Sequence, residues 1–169
     1  GREAALETVA RLNARQIATQ KVPVIFRADI ASSIFGHLVS AICGGSIYRK
    51  SSFLLDKVGQ QVMAPGLTII EQPHLRNALA SSPFDGEGVK TRDLTVIDQG
   101  VLSTYLTTSY SARKLGMAST GHAGGIHNWL VNHGDEDLLQ LCRSMGKGLL
   151  VTELMGQGVN TVTGDYSRG

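Results

Sequence analysis

At 169 residues, with 42% hydrophobic side chains, 18% charged side chains and a net charge of +2, the chain is long enough for one globular domain and too apolar to be disordered. Its Lys and Arg residues are scattered among carboxylates and form no stripe, so no nucleic-acid partner is expected. No apolar run approaches the ~20 residues of a membrane span and the N-terminus has no signal-like apolar core, so no membrane partner is expected and a cytoplasmic location is the default. Cys43 and Cys142 lie far apart, without Cys-x-x-Cys or Cys/His spacing, and read as reduced core cysteines.

In chain order, Arg2 to Thr19 has the pattern of an amphipathic helix, with Ala5, Leu6, Val9, Leu12 and Ile17 interleaved with charges and a stop at Pro23. Val24-Ile25-Phe26 reads as a buried strand. Ala28 to Ile42 returns to helical spacing through Ile30, Ile34, Leu38, Val39 and Ile42, with Asp29 or Ser32 as its cap. Gly44-Gly45-Ser46 is expected to break this helix. Arg49 and Lys50 beside these glycines raise the idea of a phosphate cradle, but the spacing is not that of a P-loop and an exposed turn is favoured.

Short strands follow at Gln61-Val62-Met63 and Leu67-Thr68-Ile69-Ile70, then a Pro73-His74 turn and an apolar segment from Leu75 to Leu79. Ser81 to Gly88 is a loop. Asp85 and Glu87 within it offer a paired carboxylate, although Asp before Gly is also ordinary turn chemistry. Thr95 to Ile97 and Val101 to Leu106 flank Asp98-Gln99-Gly100 as a hairpin. A helical turn is expected over Ser111 to Leu115 and a short helix over Asp135 to Met145. Leu149 to Thr152 reads as a buried strand and Val159 to Thr163 as another, with Glu153 between them requiring either solvent or a cationic partner such as Arg113, Arg168 or an imidazole.

The segment Thr107 to Asn128 stands apart: hydroxyls, two cations, two imidazoles and four glycines occur in little more than twenty residues. Gly121, Gly124 and Gly125 beside His122 and His127 point to a shaped loop, where sites concentrate. The two histidines are five apart, but Gly124 and Gly125 oppose the helix that would aim both rings at one metal, and no Glu adjoins His122. Hydrogen-bonded structural histidines are therefore favoured over a metal pair, and contact with a peptide or partner is the third reading.

The strings Ser109-Tyr110-Ser111-Ala112-Arg113-Lys114-Leu115-Gly116 and Ser119-Thr120-Gly121-His122-Ala123-Gly124-Gly125-Ile126-His127-Asn128 resemble the PmbA branch of the TldD/PmbA family, once labelled modulators of DNA gyrase. Phe35 to Leu38, Gly44 to Ser51, Ser82 to Val89, Thr152 to Val159 and Gly164 to Gly169 agree with it in the same order, so the likeness covers nearly the whole chain. It implies that residues 1–169 are a single region from the central or C-terminal part of a longer chain, truncated at both ends. In the TldD branch the helix equivalent to Ala28 to Ile42 carries a His-Glu-x-x-x-His zinc signature. Here the three positions fall near Arg27, Ala28 and Ser32, which cannot supply that chemistry, and His37 nearby reads as a packed or capping side chain.

The expected fold is α+β: a curved, largely antiparallel sheet from the second half, with the two early helices packed on it and long glycine-rich loops. The resemblance implies a PmbA-like subunit of a metallopeptidase system, working in cytoplasmic proteolysis of unfolded or leader peptides, including peptide-antibiotic maturation and antitoxin degradation. It implies no catalytic residue, metal or cofactor in this chain, zinc in a TldD-like partner subunit, and an unfolded peptide as substrate. Ser109, Tyr110, Arg113, Thr120, His122, His127 and Asn128 are the candidates for peptide or partner contact. The alternatives are a non-catalytic homodimerisation or scaffold module, and, ranked last, an autonomous hydrolase built on Glu153 with His122.

Overall fold

A computed structural model describes residues 1–156 and 158–168; Gln157 and Gly169, which end or interrupt two of the motif strings, lie outside them. The fold is α+β. Its central unit is a four-stranded antiparallel sheet in the order β4-β3-β2-β5, formed by β2 (Ile69–Glu71), β3 (Leu94–Asp98), β4 (Val101–Leu102) and β5 (Trp129–Val131). The hairpin turn is tighter than the expected three-residue loop: Asp98 pairs with Val101, and Gln99 and Gly100 both take positive φ, 48° and 86°, the twist that matches right-handed strands.

Helix α2 (Ala28–Ile42) occupies the range its periodicity predicts, and Leu38, Ala41 and Ile42 are its buried residues. The N-cap, however, is Arg27, with no side-chain cap; the Arg27 guanidinium instead forks onto both oxygens of Asp29 at 2.7 and 2.6 Å. The glycines after α2 do not simply end helical structure. The chain extends for one residue at Cys43, which bridges Leu106, and then forms α3 (Gly44–Tyr48). Gly44 is required there by packing: a Cβ on it would lie 2.5 Å from Ser111 Oγ and 2.9 Å from Ser111 Cβ, on α4 (Ser109–Leu115). Helices α3 and α4 thus meet through a position that has no room for a side chain.

The core is one cluster in which Leu38, Ala41 and Ile42 of α2 and Ile47 of α3 meet Ile69, Val96, Ile97 and Leu102 of the sheet, with Leu54, Tyr105 and Leu106 from connecting segments. The Leu106 N–H donates to Ile42 O at 3.0 Å and Leu106 O accepts from Gly44 N at 2.7 Å, so the residues leading into the glycine-rich loop are stitched to the end of α2. Tyr105 closes the same corner: its hydroxyl donates to Leu54 O at 2.8 Å and accepts from Lys57 N at 3.1 Å.

The periphery departs more from expectation. Helix α1 (Arg2–Ala10) ends well before Thr19, with Asn13 in the left-handed region, and none of its residues is buried. Among the described residues ion pairs hold it to the rest of the fold, Arg11 to Glu153 at 2.7 Å and Arg27 to Glu7 at 2.9 Å, so the expectation of two early helices packed on the sheet holds for α2 and not for α1. Strands β1 (Val24–Phe26) and β6 (Leu149–Val151) form a separate parallel pair; both were expected to be buried, and neither contains a buried residue. Gln61 makes an isolated bridge to Val101 and no strand, and the strand expected over Val159 to Thr163 shrinks to β7 (Gly158–Val159), paired with β8 (Tyr166–Ser167). Helix α5 spans Leu138–Met145, with Asp137 and Gln140 as a reciprocal capping box. The cysteines are free but not in the core: Cys43 is exposed and Cys142 half-buried.

Candidate functional site

Strand β2 buries alternate residues, Ile69 and Glu71, and turns Ile70 outward. A carboxylate therefore sits in line with the core, 1% exposed, where an unpaired charge would be prohibitively costly. Three ring nitrogens from later in the chain surround it. Glu71 Oε1 lies 2.7 Å from His127 Nδ1 and 2.8 Å from His122 Nε2, and Oε2 accepts from the Trp129 indole N–H at 2.7 Å. Burial acts to raise the Glu71 carboxyl, but the two imidazoles and the indole outweigh it and hold the group down at about 2, so it is an anion.

The glycine-rich loop brings the two imidazoles in. It begins at the cap of α4, where Thr108 and Ser111 form a reciprocal capping box, and leaves the helix through Gly116 in the left-handed conformation. Thr120 then returns to Thr107: its hydroxyl accepts from Thr107 N at 2.6 Å and lies 2.9 Å from His122 Nδ1. Gly124 and Gly125 take φ of 114° and 129°, a backbone open only to glycine, and this carries the chain from His122 round to His127 so that the rings meet edge to face with centroids 5.7 Å apart. No helix aims the two rings. The turn between them does.

A second clamp fixes the loop from the other side. Asp85 Oδ1 accepts from the N–H groups of Glu87 and Val89, both at 2.9 Å, and its Oδ2 accepts from Ala123 N at 3.0 Å. Burial acts to raise this carboxyl, yet the three amides keep it below the usual carboxylate range. Gly86 N donates to Ala123 O at 2.7 Å, and a Cβ on Gly86 would stand 2.8 Å from that same oxygen. Glu87 Oε2 accepts from Ser109 N at 2.7 Å. Asp85 and Glu87 are thus both engaged by backbone amides, which corrects the paired-carboxylate reading.

The candidate residues separate into two groups. Thr120, His122 and His127 are buried, and Asn128 is a staple, its Oδ1 accepting from Ala80 N and its Nδ2 donating to Gln72 O and Ser81 Oγ. Ser109, Tyr110 and Arg113 belong to α4; Tyr110 is half exposed, meets Tyr48 edge-on at 5.7 Å and carries Lys114 Nζ 5.6 Å from its ring centre. Glu153 is exposed and paired with Arg11, whereas the carboxylate beside His122 is Glu71, so a Glu153–His122 pair is not formed. His37 is packed against Tyr166 with centroids 5.8 Å apart, and its Nε2 lies 2.9 Å from Arg168. Sequence reasoning missed Glu71 and Trp129. The available signal was a lone Glu closing the apolar run Leu67 to Ile70, the same pattern that drew attention to Glu153.

Between α2 and β5 lies an apolar groove of about 350 Å³, lined by Ala28, Ser32, Phe35, Gly36, Ile126, Trp129 and Val131. Strand β5 is an outer strand of the sheet. Since Gln72 N donates to Asn128 O and Asn132 N to Thr68 O, the alternation of an antiparallel ladder turns the main-chain groups of Trp129 and Val131 toward its unpaired side. Among the described residues no helix is long and apolar enough to cross a membrane.

The sequence profile of the PmbA/TldA metallopeptidase C-terminal domain matches residues 19–169, the region that holds this sheet and its glycine-rich loop. The chain belongs to the PmbA/TldD family. It is 58% identical over its whole length to the metalloprotease PmbA homolog of Haemophilus influenzae and 56% identical to the metalloprotease PmbA of Escherichia coli O157:H7, and it spans 38% of the length of each. Its fold matches a crystal structure of a Bacteroides thetaiotaomicron protein described as a modulator of DNA gyrase, with a TM-score of 0.92 and 33% identity, over 99% of this chain and 38% of that one. TldE from Thermococcus kodakarensis matches with a TM-score of 0.78 and 26% identity, over 92% of this chain and 38% of that one.

Proposed function

We propose that the chain is part of a PmbA-like, non-catalytic subunit of a cytoplasmic TldD/PmbA peptidase system, whose catalytic zinc is carried by a TldD-like partner and whose substrate is an extended, unfolded or leader peptide. The observation that carries this reading is the pairing of the apolar groove with the open edge of β5, directly beside the part of α2 where Arg27, Ala28 and Ser32 stand in place of a zinc signature. The Arg27 guanidinium is engaged by Asp29 and Glu7, so this end of the helix presents a paired cation and small side chains, which suit the backbone of a passing peptide better than a metal. A peptide added as a further strand would hydrogen-bond to Trp129 and Val131 and place alternate side chains in the groove, giving affinity with little demand on sequence. Peptide-antibiotic leaders and antitoxins fit that description as substrates.

The test is peptide cleavage by the protein alone and after mixing with a TldD-like zinc subunit, using an unstructured peptide. The expected result is no cleavage alone, with a change in rate or cut position when both subunits are present. Cleavage by the protein alone, or a partner whose activity is indifferent to it, would overturn the reading.

A further inference from the structure

We propose that Glu71 Oε1, His122 Nε2 and His127 Nδ1 are the protein ligands of one zinc-class divalent cation, at a structural site separate from the α2 groove. The three atoms lie within 4.8 Å of one another, on side chains that are 1%, 4% and 8% exposed. His122 Nε2 is the decisive atom. It is fully buried and only 2.8 Å from Glu71 Oε1, yet the two are not aligned as a hydrogen bond, leaving the nitrogen without a hydrogen-bond partner. At His122 that geometry is expected of co-ligands, which point at a shared ion and not at each other, whereas the His127 Nδ1 to Glu71 Oε1 hydrogen bond is the contact an ion would replace. With bonds of about 2.0–2.2 Å and angles between octahedral and tetrahedral, neighbouring donors stand roughly 2.8–3.5 Å apart. The 2.8 Å between His122 Nε2 and Glu71 Oε1 falls at the short end of that range, and the 2.7 Å between His127 Nδ1 and Glu71 Oε1 lies just below it, so an ion would spread that pair slightly.

The surroundings support the donor set. Two imidazoles and a carboxylate suit zinc, cobalt and iron(II) far better than magnesium or calcium. Thr120 Oγ1, 2.9 Å from His122 Nδ1, fixes that ring with Nε2 turned inward. The Trp129 indole donates to Glu71 Oε2, so Oε1 is the oxygen that faces both imidazoles. Supporting contacts of this kind orient the ligands of metal sites. The ligands come from β2 and from both sides of the Gly124-Gly125 turn, so a bound ion would fasten the glycine-rich loop to the sheet, with water completing its coordination. The site goes beyond the peptidase-subunit reading and does not depend on it, since it is read out by metal binding and not by cleavage.

The test uses the protein without any partner subunit, freed of metal by chelation and titrated with cobalt(II). One equivalent should develop visible absorption bands, zinc should bleach them, and Glu71→Gln and His127→Asn should each weaken binding by at least about tenfold, the scale that even outer-shell losses reach. Near-UV circular dichroism establishes that the variants are folded. Cadmium-113 NMR of the native protein needs no variant: a resonance in the nitrogen and oxygen donor range supports the site. A thiolate-range resonance, which would assign the ion to Cys43 or Cys142, overturns it. Absence of cobalt bands in the native protein, or bands unchanged in both folded variants, also overturns it and leaves the three side chains as a hydrogen-bonded ionic cluster.

Discussion

Replacing Asp85 should loosen the glycine-rich loop in a way that depends on pH. The carboxylate is 7% exposed and accepts three backbone N–H groups, two closing its own turn and one reaching Ala123 beside His122. A hydrogen bond to a charged group contributes about 1.5–3 kcal/mol, but the Glu87 amide lies in an exposed turn and rehydrates readily, so full additivity would overshoot. Asp85→Ala is expected to cost about 3 kcal/mol at pH 7, and Asp85→Asn about half that, because the amide oxygen can keep the turn while its NH2 group faces the Ala123 N–H. The folded carboxyl is held below its ordinary value, so its contribution is complete above the unfolded pKa of about 3.9 and is lost as pH falls below it. Urea midpoints of wild type and Asp85→Ala measured between pH 7 and pH 2.5 should therefore differ most at neutral pH and converge under acid. A gap that is equally wide at both ends of the series would refute the electrostatic account and leave only packing.

Gly44→Ala should destabilise by about 1–3 kcal/mol through overpacking against Ser111, and Ser111→Gly in the same chain should restore part of the loss; a urea double-mutant cycle with zero coupling would contradict the close approach of α3 and α4. Tyr105→Phe strands the Leu54 carbonyl and the Lys57 amide and should lower stability by about 1–3 kcal/mol by the same measurement. Val131→Pro removes an N–H on the unpaired side of β5 and spares the ladder to β2. Peptide cleavage in the mixed-subunit assay should fall several-fold, up to about tenfold, with the protein still folded by circular dichroism. Unaltered cleavage would move the peptide away from this edge.

What could be read from the chain follows the range of the forces involved. Helix α2 and the β3–β4 hairpin were legible because periodicity and turn chemistry are local, and Leu38 and Ile42 are buried on the face their spacing predicts, joined there by Ala41. Helix α1 misled because Leu6, Val9 and Leu12 imitate a buried face and yet stand more than 60% exposed. Cys43 misled for a related reason: its neighbours Ile42 and Gly44 are buried, but one extended residue between two helices turns it outward. At the site, the histidines and the shaped loop were visible in the string Gly121 to His127, whereas their carboxylate was not. Glu71 is 51 residues from His122 in sequence, and only the antiparallel register that sets Glu71 opposite Trp129 brings strand and loop together.

The parallel pair of β1 and β6 has a consequence for biosynthesis. Val24 and its register partner Leu149 are 125 residues apart, so β1 leaves the ribosome long before the strand it hydrogen-bonds to exists. At about 5–20 residues per second, Val-Ile-Phe would wait roughly 6–25 seconds with an open edge. The ion pairs of Arg27 with Asp29 and of Arg11 with Glu153 mark the two times involved: the first can form almost at once, the second only as the pair closes. During that interval the nascent chain presents a short apolar strand, next to a helix whose own apolar residues find no cover, as a target for holding chaperones.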